Sequence, residues 1–346
     1  MLTFVVFDTI SKVPEAFWDM KDTDFCGLYR TKGWLSDSQW RLGDAQFFVG
    51  AYQQSIPLAL FPIVLMDADA GYQRYEPTLI LQRAEIQRTG RIALCASLFG
   101  TGRAFRFAQN DIQWEPLVEE LGKLLKDRYQ CTALIFANHT VFDDPFMQIK
   151  ITKRVMLEPL GMMNIARYGG WEGYLSSLKR KVRESFRREH HALEEGNITL
   201  QVGSIADFDP EVLEKLAINV YKKYNSEIPA GRIISLVSHL KHTFPKNTYS
   251  IAAMQNDIII SYVVFITYED TIYVRWHGRD YDRDHYQTYY TLVYHEPIKW
   301  GFEKGYSYID YGYRAQEAKL RRNIEMTSTY GYILDLHAYC DGPELT

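Results

Sequence analysis

The sequence predicts an α/β protein built from two similar domains in tandem, each a mixed twisted sheet with helices on both faces. Three observations support this. The chain has 346 residues, more than one ordinary core holds. Strand-like runs alternate with amphipathic helical segments. Two segments also recur in the same order in both halves. We place the domains at residues 1–155 and 156–346.

The internal repeat is the clearest sign of duplication. Residues 51–61 align with 253–263, and each segment reads as strand, polar turn and strand. Further along, Trp114-Glu115-Pro116 and His295-Glu296-Pro297 each open a helix that leads into a short strand. Because the two matches keep their order, duplication is favoured over chance.

The second half contains a continuous pattern of elements. Residues 171–195 carry apolar side chains at helical spacing, which predicts one long amphipathic helix with a basic outer face. The elements predicted after it are a strand at 198–202, helices at 209–224 and 233–242, strands within 250–265 and 271–277, a helix from 295 and a strand at 306–310.

Composition limits the class of protein. Hydrophobic residues make up 47% and charged residues 24% of the chain, as in soluble globular proteins. The four cysteines are far apart, so we expect buried reduced thiols and no metal site. No run approaches the roughly 20 apolar residues of a membrane span, and the start of the chain has no signal-peptide pattern. We therefore expect a cytoplasmic protein that does not associate with membranes.

Four segments resemble a known family. YHEPIKWGFEKGYSYIDYGYR is similar to the last helix and strand of double-domain GNAT acyltransferases of the Fem type. LSSLKRKVRESFRREHHALEEG, IYVRWHGRD and GYRAQEAKLRR resemble segments of peptidoglycan-related N-acyltransferases of the same superfamily, the last with one extra residue before Glu317. The resemblance covers about residues 137–335, and more faintly the first half.

The resemblance implies a reaction and a place for it. Both domains would be GNAT-like, with the active site in the C-terminal domain and a degenerate N-terminal domain. The reaction would form an amide by direct attack of an acceptor amine on an activated acyl donor. Lys319 occupies the position of a family lysine that stabilises charge developing on the acyl carbonyl. The alternative is an ordinary solvated lysine beside Arg321 and Arg322.

Other candidate catalytic groups follow from residue chemistry. His277 is a candidate general base because an unperturbed imidazole titrates near neutrality, although a structural histidine is as good an explanation. Arg275 lies two residues before it on a predicted strand and would share its face. Glu317 could accept the amine proton or pair with a neighbouring cation. For Asp310 a structural ion pair is favoured.

Substrate contacts are predicted at several positions. Arg183 and Arg187 lie one helical turn apart and form a candidate anion clamp, or else part of a solvated helix face. Arg275, Tyr290, Tyr294 and Arg314 are the further candidates for substrate binding. No metal ligands are predicted.

The loop at residues 279–287 bears on the acyl donor. It lies where a GNAT protein that uses coenzyme A binds the pyrophosphate, yet it contains no glycine and three aspartates. This disfavours ordinary coenzyme A binding and favours the Fem branch, and that resemblance implies an aminoacyl-tRNA as donor. Acyl-coenzyme A or an acyl carrier protein are the alternative donors, and no tightly bound cofactor is expected. The net charge of −4 disfavours extensive nucleic-acid binding, although a local basic patch suffices.

We expect the acceptor to be a small amine or a peptide-like molecule, in natural-product or cell-wall peptide biosynthesis. A GNAT fold does not by itself imply catalysis, so a non-catalytic binding module remains the alternative of another class.

Overall fold

A computed structural model describes residues 2–20, 27–67, 77–86, 90–108, 112–140, 146, 149, 152–286 and 288–340. The chain divides into two compact units. The first unit comprises Met1–Pro159 together with Ser328–Thr346, and the second comprises Leu160–Thr327. The division within the chain falls near the predicted boundary at 155/156. The segment Ser328–Thr346, however, was predicted to lie in the second domain and belongs to the first unit.

The first unit is built on one sheet. Its strands are β1 (Leu2–Phe7), β2 (Gln46–Gln53), β3 (Ile56–Asp67), β4 (Arg91–Cys95), β5 (Arg106–Phe107), β6 (Cys131–Thr140), β7 (Lys153–Met156) and β15 (Thr329–Asp335). Its α-helices are α1 (Lys32–Leu42), α2 (Pro77–Arg83), α3 (Trp114–Tyr129) and α10 (Leu336–Cys340). The strand order is β1-β2-β3-β4-β6-β15-β7, with β5 paired to β3.

The second unit is built on another sheet. Its strands are β8 (Leu160–Asn164), β9 (Ile198–Ser204), β10 (Thr248–Gln255), β11 (Ile258–Tyr268), β12 (Thr271–Arg279), β13 (Tyr308–Asp310) and β14 (Glu325–Thr327). Its α-helices are α4 (Trp171–Ser177), α5 (Arg180–Glu195), α6 (Pro210–Lys223), α7 (Arg232–Thr243), α8 (Glu296–Lys304) and α9 (Gln316–Leu320). The strand order is β9-β10-β11-β12-β13-β8-β14.

The two sheets have the same pairing pattern. Read from β1 and from β9, each has three antiparallel pairs, then a parallel pair (β4 with β6, β12 with β13), then two antiparallel pairs. In this alignment β15 of the first sheet corresponds to β8 of the second. The first sheet is thus completed by a strand that follows the second unit in sequence, which explains the difference in the domain boundary.

The repeated hairpins agree in detail. Both shift register at the aligned alanines, Ala51 in β2 and Ala253 in β10. The two turn residues between the strands have positive φ in each hairpin, at Gln54 and Ser55 and again at 256–257. Such left-handed pairs form the turns whose twist matches a β-hairpin. The predicted repeat is confirmed at the level of topology, register shift and turn.

The predicted helix over residues 171–195 is interrupted. It is two helices, α4 and α5, because Leu178 and Lys179 are both extended, with ψ of 149° and 146°. The side chain of Arg183 donates to the carbonyls of Ser176 and Leu178, and so supplies hydrogen bonds at the end of α4. The remaining predicted strands and helices of the second half are confirmed within a few residues.

Helices cover both faces of the second sheet. On one face α6 packs against β11 and β12, and the hydroxyl of Tyr262 donates to the carbonyl of Leu213 in α6 at 2.8 Å. On the other face α5 and α8 enclose a core that includes Leu193, Val263 and Ile298. The α/β class with helices on both faces is confirmed.

Candidate active site

Strands β12 and β13 part after a short parallel pairing. They pair only through Thr271–Tyr308, Ile272–Ile309 and Tyr273–Asp310. Beyond Tyr273, β12 continues to Arg279 while β13 ends at Asp310. Among the described residues, this edge of β12 then has no strand partner, which opens the sheet at its centre.

Tyrosines from the segment after β12 and from the end of β13 pack together in one cluster. Tyr289 packs against Tyr294, and Tyr294 packs against Tyr290 and Tyr311, with ring centroids 5.3–6.4 Å apart. The hydroxyl of Tyr311 donates to the carbonyl of Tyr294 at 3.2 Å. Burial raises the pKa of Tyr294, which keeps its phenol protonated at neutral pH. The predicted substrate-contact residues Tyr290 and Tyr294 thus belong to one cluster.

A π-helical segment, Thr291–His295, contains Tyr294 of this cluster and leads directly into α8. Pro297 lies within the first residues of α8 and has no N–H, so regular α-helical bonding is interrupted here. The N–H of Glu296 instead bonds to the carbonyl of Thr291, one residue further back than in an α-helix. Such segments are frequent at functional sites. All five of its residues are buried.

The open part of β12 carries Arg275 and His277. The strand has a bulge there: Val264 pairs with Trp276 and Phe265 with Val274, so the register shifts at Arg275. The strict alternation that would place Arg275 and His277 on one face is therefore wrong for this strand. His277 pairs with Val263 and contacts the ring of Tyr289, at 4.9 Å between centroids.

His277 is poorly suited to act as a general base. Burial lowers its pKa to about 4, with smaller contributions from the positive charges of Arg279 and Lys223. The ring is therefore neutral at neutral pH but has little affinity for a proton. The structure favours the interpretation of His277 as a packed, neutral histidine.

Lys319 lies in the turn that follows β13. It is 2% exposed, and its Nζ donates to the carbonyls of Gly312 at 2.5 Å and Tyr313 at 2.9 Å. Gly161 of β8 makes room for it, because a Cβ there would come within 2.6 Å of Lys319 Cδ. Lys319 is therefore not the solvated surface lysine of the alternative interpretation; it is a buried cation close to the end of β13.

The other groups on this turn are less buried. Glu317 is exposed and pairs with Arg321 one helical turn later, so it is not directed at the tyrosines. Arg314 is exposed and has a positive φ of 62°. Asp310 is buried, and its Oδ1 accepts from the N–H of Gly312 at 2.7 Å. This contact holds the turn after β13, and the ion pair favoured for Asp310 stays a prediction.

A pocket between α4 and α5 brings together the two predicted clamp residues. It has a volume of 360 Å³ and is lined by Glu172, Leu175, Ser176, Arg183, Phe186 and Arg187. Arg183 already serves to hold the end of α4. Arg187 is exposed and makes no ion pair or hydrogen bond with any described residue. The predicted pair therefore shares a pocket, but only Arg187 is free to bind an anion without disturbing the backbone.

The charged residues at the two ends of α5 have the opposite sign to those that would stabilise its helix dipole. Lys179, Arg180, Lys181 and Arg183 surround its first turn, which has no acidic residue, whereas its last turn contains Glu194 and Glu195. Each such placement is disfavoured by about 0.3–1 kcal/mol relative to the reverse. Helix stability therefore does not explain the basic end, whereas attraction of an anionic ligand would.

The loop after β12 places a protein carboxylate just before the helical segment 289–295, which begins at Tyr289 and leads into α8. Asp284 is 3% exposed, and it accepts from the N–H and Oγ1 of Thr288 at 3.2 and 2.8 Å. Its Oδ2 also lies 2.5 Å from Arg279 Nε. The negative charge that a phosphate would supply at this position is thus already present.

Sequence reasoning missed Arg322 and His295. Arg322 is 6% exposed and its guanidinium lies over the rings of Tyr290 and Tyr294, at 4.4 and 4.8 Å from their centroids. Its Nε donates to His295 Nε2 at 3.4 Å. In the sequence Arg322 is one of two adjacent arginines, and only its spacing of three residues from Lys319 indicated that it would face the same way.

Within the described ranges, no three His, Cys, Asp or Glu side chains are grouped so that they could hold a metal ion. The same part of the chain contains no helix with the length and apolar character needed to cross a membrane.

Comparisons with known structures agree with this architecture. FemX matches with 10% identity, 96% of this chain and 98% of its own covered, and a TM-score of 0.58. L-PGS from Bacillus licheniformis matches with 13% identity, 86% of each chain covered and a TM-score of 0.54. A tandem GNAT protein from the clavulanic acid biosynthesis pathway matches with 10% identity, 99% and 100% covered, and a TM-score of 0.51. At these identities the likeness concerns the fold alone.

No match is found among curated proteins. A family model described as peptidoglycan biosynthesis/recognition matches residues 101–340, well over half of the chain. That match agrees with the tandem GNAT-like topology and with the motifs around Lys319. The chain belongs to the FemAB-like family.

Proposed function

We propose that the second unit catalyses transfer of an aminoacyl group from an aminoacyl-tRNA to an amine of a peptide-like acceptor. The family's description, peptidoglycan biosynthesis/recognition, supports an acceptor of the cell-wall precursor class. The observation that carries the proposal is the parting of β12 and β13 beside a tyrosine cluster and the buried Lys319.

The free edge of β12 supports this chemistry. Alternate residues of segment 274–279 direct their backbone N–H and C=O groups away from β11, where an extended substrate could pair with them as an added strand. Holding donor and acceptor in register converts a bimolecular attack into an effectively unimolecular one. Ordered N–H groups and a nearby cation also stabilise the negative charge that develops on the attacked carbonyl oxygen.

The proposed step needs no covalent enzyme intermediate. The acceptor nitrogen forms a bond with the acyl carbon, the ester bond to the tRNA ribose breaks, and the amine proton passes to the leaving hydroxyl by way of water. His277, with its pKa of about 4, is not assigned a role in this transfer. The acceptor amine reacts as its free base.

Asp284 supports a donor other than coenzyme A. A pyrophosphate at the N-terminus of the helix that begins at Tyr289 would have to displace a buried carboxylate from Thr288 and Arg279. That exchange would break an ion pair and bring like charges together, both of which are unfavourable. An aminoacyl-tRNA needs no such pyrophosphate contact.

The basic end of α5 supplies a place for phosphates of the donor. Arg180, Lys181 and Arg187 are exposed cations in this part of α5, and Arg187 lines the pocket between α4 and α5. Contacts of this kind give affinity that falls as salt concentration rises. A local patch is sufficient despite the negative net charge.

The test uses bulk tRNA charged with labelled amino acids, labelled acetyl-coenzyme A in a parallel reaction, and a pool of soluble cell-wall precursors as acceptor. We expect label from charged tRNA, and not from acetyl-coenzyme A, to enter the precursor pool in the presence of the protein. Binding of charged tRNA should weaken with salt.

Arg187→Glu should weaken that binding, whereas Lys215→Glu should not. Lys215 is an exposed lysine on α6 that makes no ion pair with any described residue. Arg183 is unsuitable for this test, because its substitution would release the end of α4. Transfer from acetyl-coenzyme A alone would replace the proposed donor. Absence of transfer from both donors would leave a binding module as the better explanation.

A further inference from the structure

Arg322 is a buried cation that touches only neutral groups. Its Nε donates to the imidazole of His295, its Nη1 donates to the carbonyl of Ala318 at 3.0 Å, and its guanidinium lies on the rings of Tyr290 and Tyr294. In the described part of the chain no carboxylate pairs with it directly. Buried charges in proteins are ordinarily paired, because desolvation of an isolated ion is costly.

His295 cannot supply the missing negative charge. Burial, together with the positive charge of Arg322 and the neighbouring His190, holds the pKa of His295 well below its usual value, so its ring is neutral. Because Nε2 accepts from Arg322, the ring proton lies on Nδ1, which faces Glu189 Oε2 at 3.6 Å. His295 is thus fixed as a hydrogen-bond acceptor for Arg322.

Glu189 compensates Arg322 only at a distance. Its carboxylate lies on the far side of the imidazole and is bonded to Ser185 at 2.9 Å. Burial raises the pKa of Glu189, which shows that its charged form is itself disfavoured there. The guanidinium therefore keeps an uncompensated charge on the side away from His295.

The remaining donors of Arg322 are in a position to take a ligand. Nη2 makes no hydrogen bond with any described residue. The stacking on Tyr290 and Tyr294 fixes the plane of the guanidinium. A guanidinium edge matches the two oxygens of a planar anion, which it can bind through two parallel hydrogen bonds.

We propose that Arg322 binds a carboxylate group of the substrate beside Tyr290 and Tyr294. A carboxylate is favoured over a phosphate because it is planar and singly charged, and so costs less to desolvate beside two aromatic rings. The inference rests on the proposed function, since it assigns a chemical group to the substrate of that same site: the molecule held there has a free carboxylate next to the part that reacts.

The test measures anion binding without any transfer reaction. Thermal unfolding of the full-length protein is followed over a concentration series of sodium acetate, with sodium chloride and sodium phosphate at matched ionic strength. Acetate should raise the melting temperature of the wild type by about 2–4 °C more than chloride does. Arg322→Met should lose that difference, whereas Arg321→Met, a change at the exposed neighbour, should keep it.

Arg322→Lys serves as a second variant in case the methionine variant does not fold. It keeps the charge but lacks the planar fork, so its acetate dependence should be about tenfold weaker in concentration. Equal acetate effects in wild type, Arg322→Met and Arg322→Lys would overturn the inference. A response to phosphate and not acetate, lost in Arg322→Met, would overturn the carboxylate assignment.

These outcomes separate the two proposals. Transfer activity without acetate binding would contradict the role of Arg322 and leave the proposed function standing. Acetate binding at Arg322 without any acyl transfer would contradict the proposed function and leave the carboxylate site standing.

Discussion

The side chain of Lys319 occupies the space that a Cβ on Gly161 would need. A Cβ built there lies 2.6 Å from Cδ and 3.1 Å from Nζ of the lysine. Backbone hydrogen bonds also join β8 to the segment after β13 at this point. The N–H of Gly161 donates to the carbonyl of Gly312, and the N–H of Tyr311 donates to the carbonyl of Gly161. The glycine in β8 is therefore what allows a lysine to be buried beside the end of β13.

Gly161→Ala should destabilise the protein by about 1–3 kcal/mol, because the added methyl group overpacks against the lysine stem. The measurement is the free energy of unfolding in denaturant. Gly331→Ala is the matched control: this glycine also lies in a strand, and a Cβ there would meet its nearest neighbour at 3.4 Å, an ordinary contact. Equal stability of the two variants would mean that Lys319 moves aside at little cost.

Lys319→Met should lower both stability and any transfer activity. Removal of the ammonium leaves the carbonyls of Gly312 and Tyr313 without their donor, at a cost of about 1–3 kcal/mol. A lysine that acted only on the substrate would leave the unfolding free energy almost unchanged. Unfolding curves and turnover of the same preparations therefore distinguish a purely catalytic lysine from one that also holds the turn.

The sequence was sufficient to predict the architecture, since strand spacing, hairpin turns and helix periodicity are local signals. The repeat at Ala51 and Ala253 was visible in the same way, and the structure places a register shift at both. The place of β15 in the first sheet was not predictable, because no local signal in Thr329–Asp335 specifies which of the two sheets the strand joins.

The site was harder to predict than the fold. A bulge at Arg275 changes the facing of every later residue in β12, yet no glycine or proline marks it. The chemistry of Arg322 depends on what surrounds it: in the sequence it resembles Arg321, whereas one is buried on tyrosines and the other is exposed beside Glu317. Burial and pairing of charges are tertiary properties, and residue order alone does not carry them.

Asp284→Ala should open an anion site that the wild type lacks. Without the carboxylate, Arg279 and the N–H and hydroxyl of Thr288 lose their shared partner. The variant should be less stable by about 3–5 kcal/mol, as when one member of a buried ion pair is removed.

Added pyrophosphate should restore part of that stability in Asp284→Ala and have little effect on the wild type. The measurement is the melting temperature with and without pyrophosphate. Asp282→Ala is the control, since Asp282 is exposed in the same loop and contributes no side-chain hydrogen bond among the described residues. If the wild type responds to pyrophosphate as strongly as Asp284→Ala, the carboxylate does not block an anion site.

The half-buried, neutral His277 should make the protein less stable in mild acid. Its pKa is lowered from 6.5 to about 4 in the folded state, so between these values the unfolded chain binds the proton more strongly. The stabilising contribution of a neutral His277 is complete above pH 6.5 and is lost progressively as the pH falls toward 4. The loss reaches about 3 kcal/mol at most.

His277→Gln should therefore flatten the fall of melting temperature between pH 6.5 and 4. His285→Gln, a change at an exposed position in the loop after β12, is the control. The same shift bears on activity, because a group with this pKa is already deprotonated at pH 6. A transfer rate that falls below pH 6.5 with a single inflection near 6.5, and loses that inflection in His277→Gln, would show that His277 titrates normally and would restore it as a candidate general base.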